Sequence, residues 1–288
     1  MTIYDQRRTI EWPDQKKLCV TFNIALEAFN REGSFKKDSR IEVNLHSISH
    51  ANYGGNTGIW RLMEIMRRYN VRSTILLNGL AAQRWPNAVK ALHEEGHEIA
   101  GHGMSNEIHM TALTPTQQRE EVRKVADLIE SVSGERPTGW MGPGGGMHTL
   151  ETLGIIASEG YIWSGDQCDD DPPYVVSSEG GPIVIIPKLW FYNDKNVWNM
   201  GATSMRTAFE QFKEGFDFAL QEALRGRPGR IDATVHAEYS GRQYLAPAYE
   251  KMISYVCSFK DDVWIATCEE MARHTLNVKM PEKYTPIG

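Results

Sequence analysis

An α/β fold, most simply a closed (β/α) barrel, is what this sequence predicts, and three observations predict it. Short apolar runs of strand length alternate with longer segments whose apolar residues recur at helical spacing. Eight strand-like runs occur, at 18–26, 73–77, 97–101, 138–141, 161–164, 183–186, 231–236 and 263–266. The first (Leu-Cys-Val-Thr-Phe-Asn-Ile-Ala-Leu) is nearly continuous apolar, as a parallel strand covered on both faces must be. A length of 288 residues suits one barrel or two small domains equally well. No linker, internal repeat or low-complexity tract divides the chain, which predicts a single domain over 1–288 with short terminal extensions.

Each element has a local cause. Residues 1–16 are polar, carry Trp12-Pro13 and read as an extended lead-in to the first strand, which delivers Glu27 at its end. Residues 30–56 show little periodicity and hold His46, His50 and Tyr53-Gly54-Gly55-Asn56, which predicts a long structureless segment, either a binding loop or disorder. From Thr57 a helix places Ile59, Leu62, Met63, Met66 and Tyr69 on one face and Arg61, Glu64, Arg67 and Arg68 on the other. After the second strand and a helix over 86–95, the third strand ends at Gly101-His102-Gly103, whose glycines let the backbone turn sharply about His102. Thr114-Pro115-Thr116-Gln117 supplies an N-cap, a proline in the first turn and a glutamine three residues after the cap, so a helix starts there; Gly134 ends it. Further helices are expected over 149–158, 203–224 and 247–258.

Composition excludes several classes of function. The chain has 31 basic and 37 acidic residues, a net charge of −6, and no long run of like charge, so nucleic acid is not a predicted partner. No apolar run approaches membrane-spanning or signal-peptide length, which predicts a soluble cytoplasmic protein without a membrane partner. Cys19, Cys168, Cys257 and Cys268 are far apart, show no zinc-knuckle or redox spacing, and read as reduced structural thiols.

In a barrel of this kind the residues just beyond the strands converge on one face, so polar strand-end residues are the site candidates. They are Glu27, His102 with Asn106, Trp140 with Pro143, Asp166 with Asp170 and Asp171, and His236 with Arg242. Taken alone, a histidine at such a position is more often a hydrogen-bonded core residue than a ligand. The glycine-rich run 142–146 lacks the Lys-Ser or Lys-Thr ending of a phosphate-binding loop, which excludes nucleotide binding there. Asp169-Asp170-Asp171, followed by Pro172-Pro173-Tyr174, reads as a rigid loop carrying one or two placed carboxylates.

These residues carry a family resemblance. The strand 22–27, Tyr-Gly-Gly-Asn-Thr-Gly-Ile-Trp-Arg at 53–61, Gly-His-Glu-Ile-Ala-Gly-His-Gly at 96–103, and Arg-Pro-Thr-Gly-Trp-Met-Gly-Pro-Gly at 136–144 resemble the polysaccharide deacetylases, the NodB-homology hydrolases. So do Ser164-Gly165-Asp166, the segment 170–174, Asn193-Asp194, and His236 through Arg242; the likeness spans about 17–275 and is greatest to the intracellular allantoinase-like and cyclic-imide hydrolases. It implies a distorted (β/α) barrel of seven or eight parallel strands. Metal-dependent members of the family carry Thr-Phe-Asp-Asp-Gly on the first strand and His-x-x-x-His after the third. Here Asn23-Ile24 replaces both aspartates and Asn106 the second histidine, so His102 alone remains of the ligand triad. An amide is a poor zinc ligand beside imidazole or carboxylate, which weighs against a bound metal; a rebuilt site for one divalent ion, zinc for preference, would use Glu27, His102 and His109.

The resemblance implies hydrolysis of a C–N bond other than a peptide bond, in a small cyclic amide, imide or ureide. Carbohydrate N-deacetylation and non-catalytic ligand binding are the alternatives. The expected catalytic residues are Glu27 as base or ligand, His102 as its partner or as a ligand, Asp166 as a second carboxylate orienting water or histidine, and His236 as acid or oxyanion donor. A metal-free base near neutral pH needs a raised pKa, which Trp140, Trp163 and Phe191 are expected to provide by excluding water. Tyr53, Asn106, Trp140, Asp170 and Arg242 are the expected substrate contacts, and the resemblance implies a homo-oligomer.

Overall fold

The computed structural model describes residues 10–29, 45–146, 148–189, 193–199 and 204–278. Its frame is one curled sheet of nine strands in the order β6-β7-β5-β4-β3-β2-β1-β8, with β9 pairing β1 outside that path. The strands are β1 Leu18–Leu26, β2 Thr74–Leu77, β3 Glu98–Gly101, β4 Gly139–Trp140, β5 Trp163–Ser164, β6 Tyr174–Ser178, β7 Gly181–Ile185, β8 Gly229–His236 and β9 Val263–Ala266. All pairings are parallel except the β6/β7 hairpin.

The expected alternation of strands and helices holds, with two differences. Closure is not by an unbroken ring of ladder pairing among the described residues. Between β7 and β8 the gap is spanned by Arg230 Nη1 donating to Pro187 O at 2.6 Å and by a parallel bridge of Asn193 to Thr234. The ninth strand, β6, was not expected; its Tyr-Val-Val-Ser-Ser lacks the long apolar run of a strand buried on both faces, because it is an edge strand.

β1 is the axis of the fold, and all nine of its residues are buried. Leu18, Val20, Phe22, Ile24 and Leu26 face the helical layer, while Cys19 and Ala25 join Leu76, Ala100, Met141 and Trp163 on the opposite face. Register then places the site. Leu26 pairs with Leu77, and Leu77 with Gly101, so the residues one step beyond, Glu27 and His102, stand level two strands apart. On the other side Ala25 pairs with His236. Asn78 ties the three strand ends together, accepting from Ala28 N at 3.0 Å and donating to His102 O.

The segment read as a structureless loop contains the helix Leu45–Tyr53, running through a π-helical turn Gly54–Gly58 into the helix Ile59–Tyr69; residues 30–44 lie outside the described residues. Glycine is required in this turn by proximity. A Cβ on Gly55 would overlap the Trp85 ring, and one on Gly58 would overlap Ala237 O in the turn after His236. The helix Pro115–Ser133 has the expected capping box, with Thr114 N donating to Gln117 Oε1 at 2.9 Å and Gln117 N to Thr114 Oγ1 at 3.4 Å, and ends at Gly134 with φ of 83°. Among the described residues, no helix is long and apolar enough to cross a membrane.

Candidate active site

Glu27, His102 and His236 meet at the carboxyl ends of β1, β3 and β8, all three buried. Glu27 Oε1 lies 3.2 Å from His102 Nε2 and 3.7 Å from His236 Nε2. His102 Nδ1 faces Met141 O at 2.5 Å. Both neighbours of that ring are acceptors. His236 is fixed by Asp194, whose Oδ1 lies 2.6 Å from Nδ1 and whose Oδ2 accepts from His236 N at 2.8 Å and from Ser240 Oγ at 2.8 Å.

Two further ionic groups complete the cluster. Lys195, in the helix Asp194–Asn199, brings Nζ to 3.2 Å from Glu27 Oε2 and 3.2 Å from Glu238 Oε1. Glu238 is wholly buried two residues after His236.

The electrostatics follow from this crowding. Burial acts to raise the Glu27 pKa, but Lys195, His236 and His102 outweigh it and hold the carboxyl well below its usual range. This overturns the expected upward shift, because three basic groups converge where aromatic rings were expected. Trp140 is buried edge-on to Tyr161, and Trp163 Nε1 donates to Glu98 Oε1 at 2.8 Å. Phe191 lies outside the described residues. Burial and Lys195 act to lower the His236 pKa, and Asp194 and Glu27 outweigh them and raise it. Burial pushes Glu238 above the usual carboxylate range against the pull of Lys195. A carboxylate held low beside an imidazole held high is an acid and base assignment set by environment.

The group opens into a pocket of about 200 Å³ floored by Ala25, Leu76, Met141 and Thr234 and walled by Asn106, Gly144, Lys188, Asn193 and Asn196. Asn106 Oδ1 is buried without a hydrogen-bond partner among the described residues, an acceptor open to a ligand N–H.

The other expected residues fall elsewhere. Asp166 accepts from Gly142 N at 2.9 Å with both oxygens and lies 3.0 Å from His148 Nδ1, so the histidine it orients is His148, and the pocket lining does not include Asp166. Trp140 is in the core and does not line the pocket. Tyr53 and Arg242 pack on one another, guanidinium over ring at 4.2 Å, with Arg242 Nε donating to Glu238 O at 2.9 Å, and neither lines the pocket. Asp170 caps its own loop, accepting from Asp171 N at 2.9 Å, and does not line the pocket.

Asp194, Lys195 and Glu238 are the residues that sequence reasoning missed. Asp194 belonged to the quoted segment 193–194 but had no assigned role. The signal available was an acid and a base adjacent in a polar run just before the predicted helix 203–224.

A divalent ion, which the resemblance implies for the wider family, does not fit these residues. Among the described residues no group of three or more His, Cys, Asp or Glu is arranged to hold one. Asn23 donates to Thr234 Oγ1 at 3.1 Å, and His109 is turned toward Gly144, where a Cβ would strike its ring. Above all, Glu27 Oε2 already carries an ammonium ion, which a bound cation would have to displace.

Comparison with known proteins adds the following. A family model described as polysaccharide deacetylase matches residues 52–161. A peptidoglycan deacetylase of Helicobacter pylori is 22% identical over 290 residues, 89% of this chain and 96% of that protein. The peptidoglycan deacetylase-like protein FGM2 of Gibberella zeae is 25% identical over 271 residues, 81% of this chain and 79% of that one. The crystal structure of PuuE allantoinase superposes with a TM-score of 0.83 at 25% identity, covering 94% of each chain.

Proposed function

We propose, on the premise that this chain belongs to the polysaccharide deacetylase family and is a hydrolase of C–N bonds, that it opens a small cyclic amide, imide or ureide by attack of water. The observation that carries this reading is the convergence of two imidazole Nε2 atoms on one buried carboxylate, Glu27, at the floor of a pocket of about 200 Å³. A small ring with its carbonyl oxygens fits that volume, whereas a sugar chain needs an open groove.

Glu27, held ionised by the basic groups around it and so a weaker base than the raised-pKa carboxylate expected, takes the proton from water only as the C–O bond forms, with His102 holding the carboxylate in place. The water oxygen bonds to the carbonyl carbon, whose π pair moves onto the carbonyl oxygen. When the tetrahedral centre collapses, the C–N bond breaks and its electron pair, left on nitrogen, takes a proton from His236. Asp194 orients that ring and keeps its proton on the side of the site, the role expected of Asp166. Asn106 Oδ1 is placed to accept a ring N–H.

Likeness to the fold of an allantoinase supports a ureide or imide substrate, and the names of the deacetylase relatives support the second reading, release of acetate from an N-acetyl sugar. Incubation with succinimide, hydantoin and allantoin, beside N-acetylglucosamine oligomers, separates them. Ring opening of at least one cyclic substrate is expected; acetate release from the sugars with no ring opened would overturn the proposal. A single-domain, cytoplasmic homo-oligomer belongs to the same proposal and is checked by limited proteolysis, fractionation and the mass of the particle in solution.

A further inference from the structure

Lys195 and Glu238 have no part in the steps above, yet they are built into the same cluster. A carboxylate as completely buried as Glu238 is costly to retain unless it is well paired. Among the described residues its charged partner within ion-pair distance is Lys195, at 3.2 Å. Lys195 sits between two anions, with Glu27 at 3.2 Å on its other side, and its Nζ lies 5.8 Å over the Tyr239 ring. Glu27, Glu238 and Asp194 together outweigh the burial of the amine and raise its pKa, which favours the ammonium.

The two carboxylates differ in what happens to them. Glu27 loses its charge when it accepts the proton from water. Glu238 faces no reacting group and keeps its ion pair. An ammonium paired with Glu27 alone would lose its anchor at the moment of attack; one also paired with Glu238 remains where it is. Negative charge therefore leaves Glu27 and appears on the substrate oxygen beside the same fixed cation, and no group has to reorganise.

We propose that Lys195 is the oxyanion-stabilising cation of this site and Glu238 the positioning residue that holds it, so that an ammonium built into the fold supplies the electrostatic stabilisation that a divalent ion gives elsewhere. This rests on the hydrolytic reading above. In the balanced step, the water O–H bond breaks toward Glu27, the new C–O bond forms, and the carbonyl π pair becomes the oxyanion paired with Lys195 Nζ. Collapse returns that pair to the C=O bond and releases the nitrogen, which is protonated by His236.

The test compares wild type, Lys195→Met, Lys195→Ala, Glu238→Gln and Lys195→Met/Glu238→Gln on whichever cyclic substrate the wild type opens. Loss of an oxyanion donor predicts a fall in kcat of about 10² to 10³ for Lys195→Met with KM within about threefold. Methylammonium, a small primary amine cation, is expected to restore part of the kcat of Lys195→Ala. Misplacement of the ammonium predicts a fall of about tenfold to a hundredfold for Glu238→Gln alone. Because Glu238 acts through Lys195, Glu238→Gln should cost nothing further in the Lys195→Met background, whereas a merely structural role would add its full cost there. The double variant removes the ammonium together with the Glu238 charge and leaves Glu27 beside His102 and His236, so it reports on Lys195 even where Lys195→Met alone does not fold. A kcat within threefold of wild type in both Lys195→Met and the double variant, or a loss confined to KM, would overturn the inference while leaving the hydrolytic reading standing. A wild type that opens no ring would remove both.

Discussion

Replacing Asp194 by asparagine is the sharpest perturbation of the His236 arrangement, because it changes charge and one donor without changing shape. Asp194 accepts four hydrogen bonds, from His236 N and Ser240 Oγ on Oδ2 and from His236 Nδ1 and Lys195 N on Oδ1. An asparagine keeps the first two by placing its carbonyl oxygen at the Oδ2 position. Its amide nitrogen then confronts Nδ1, which must give up its proton and accept, and Lys195 N, which loses its acceptor. The ring is forced into the tautomer protonated on Nε2 alone and is no longer the imidazolium that donates and remains oriented. Loss of a positioned general acid predicts a fall in kcat/KM of about 10² to 10⁴ at neutral pH. A second readout is the pH profile. Asp194 is one of the two groups that raise the His236 pKa against burial and Lys195, so its removal moves the alkaline limb of kcat/KM to lower pH. Stability changes with a definite sign. The His236 contribution is present below the unfolded value of about 6.5 and is lost as pH rises through the raised folded pKa. The Asp194 contribution, whose carboxyl is held down by His236 and Ser240 against burial, is present above about 3.9 and is lost as pH falls through the depressed folded pKa. The variant is therefore destabilised most between those two values, by about 1.5 to 3 kcal/mol for one charge-assisted hydrogen bond. A kcat/KM within threefold of wild type, with the alkaline limb unmoved, would refute the role given to this pair.

Other expectations follow from the same contacts. Glu27→Gln and His102→Ala should each lower turnover by at least about two orders of magnitude, and an unchanged rate in a steady-state assay removes that residue from the mechanism. Gly58→Ala forces a Cβ onto the Ala237 carbonyl; overpacking of that kind costs about 1 to 3 kcal/mol, read as a drop of several degrees in Tm, and an unshifted melt would show that the π turn does not press on the strand-end turn. Asp166→Asn should flatten the acid limb of stability. The Asp166 carboxyl is held low by His148 and Gly142 N against burial, so its stabilisation is lost as pH falls through the depressed value; identical acid-unfolding curves for variant and wild type would count against this.

The legible part of the molecule was the part set by local pattern. The continuous apolar run of β1, the Thr114 cap and the Gly134 stop each act over a few residues, and register then carried Glu27, His102 and His236 to one place. What was not legible depends on contacts across long separations. Asp166 and Asp194 are both acids near strand ends, and only the Asn193 bridge to Thr234 decides which of them meets His236. Trp140 stands at the end of β4, but a two-residue strand brings its side chain into the core against Tyr161. The direction of the Glu27 shift likewise turns on Lys195, which is 168 residues away in the chain. The helix over 45–53 was missed because its polar, histidine-rich sequence has little apolar periodicity, and the π turn was missed because glycines read as a loop when their reason is the closeness of Trp85 and Ala237.

The cation paired with Glu27 is Lys195, at 3.2 Å, and the chemistry proposed for this site turns on it. Protein dialysed against a strong chelator, with metal content measured on the same sample used for assay, is expected to open its cyclic substrate at the full rate with far less than one equivalent of any divalent ion. Turnover that disappears on chelation and returns in proportion to added zinc would contradict the account, because it would place a metal ion where the structure places Lys195.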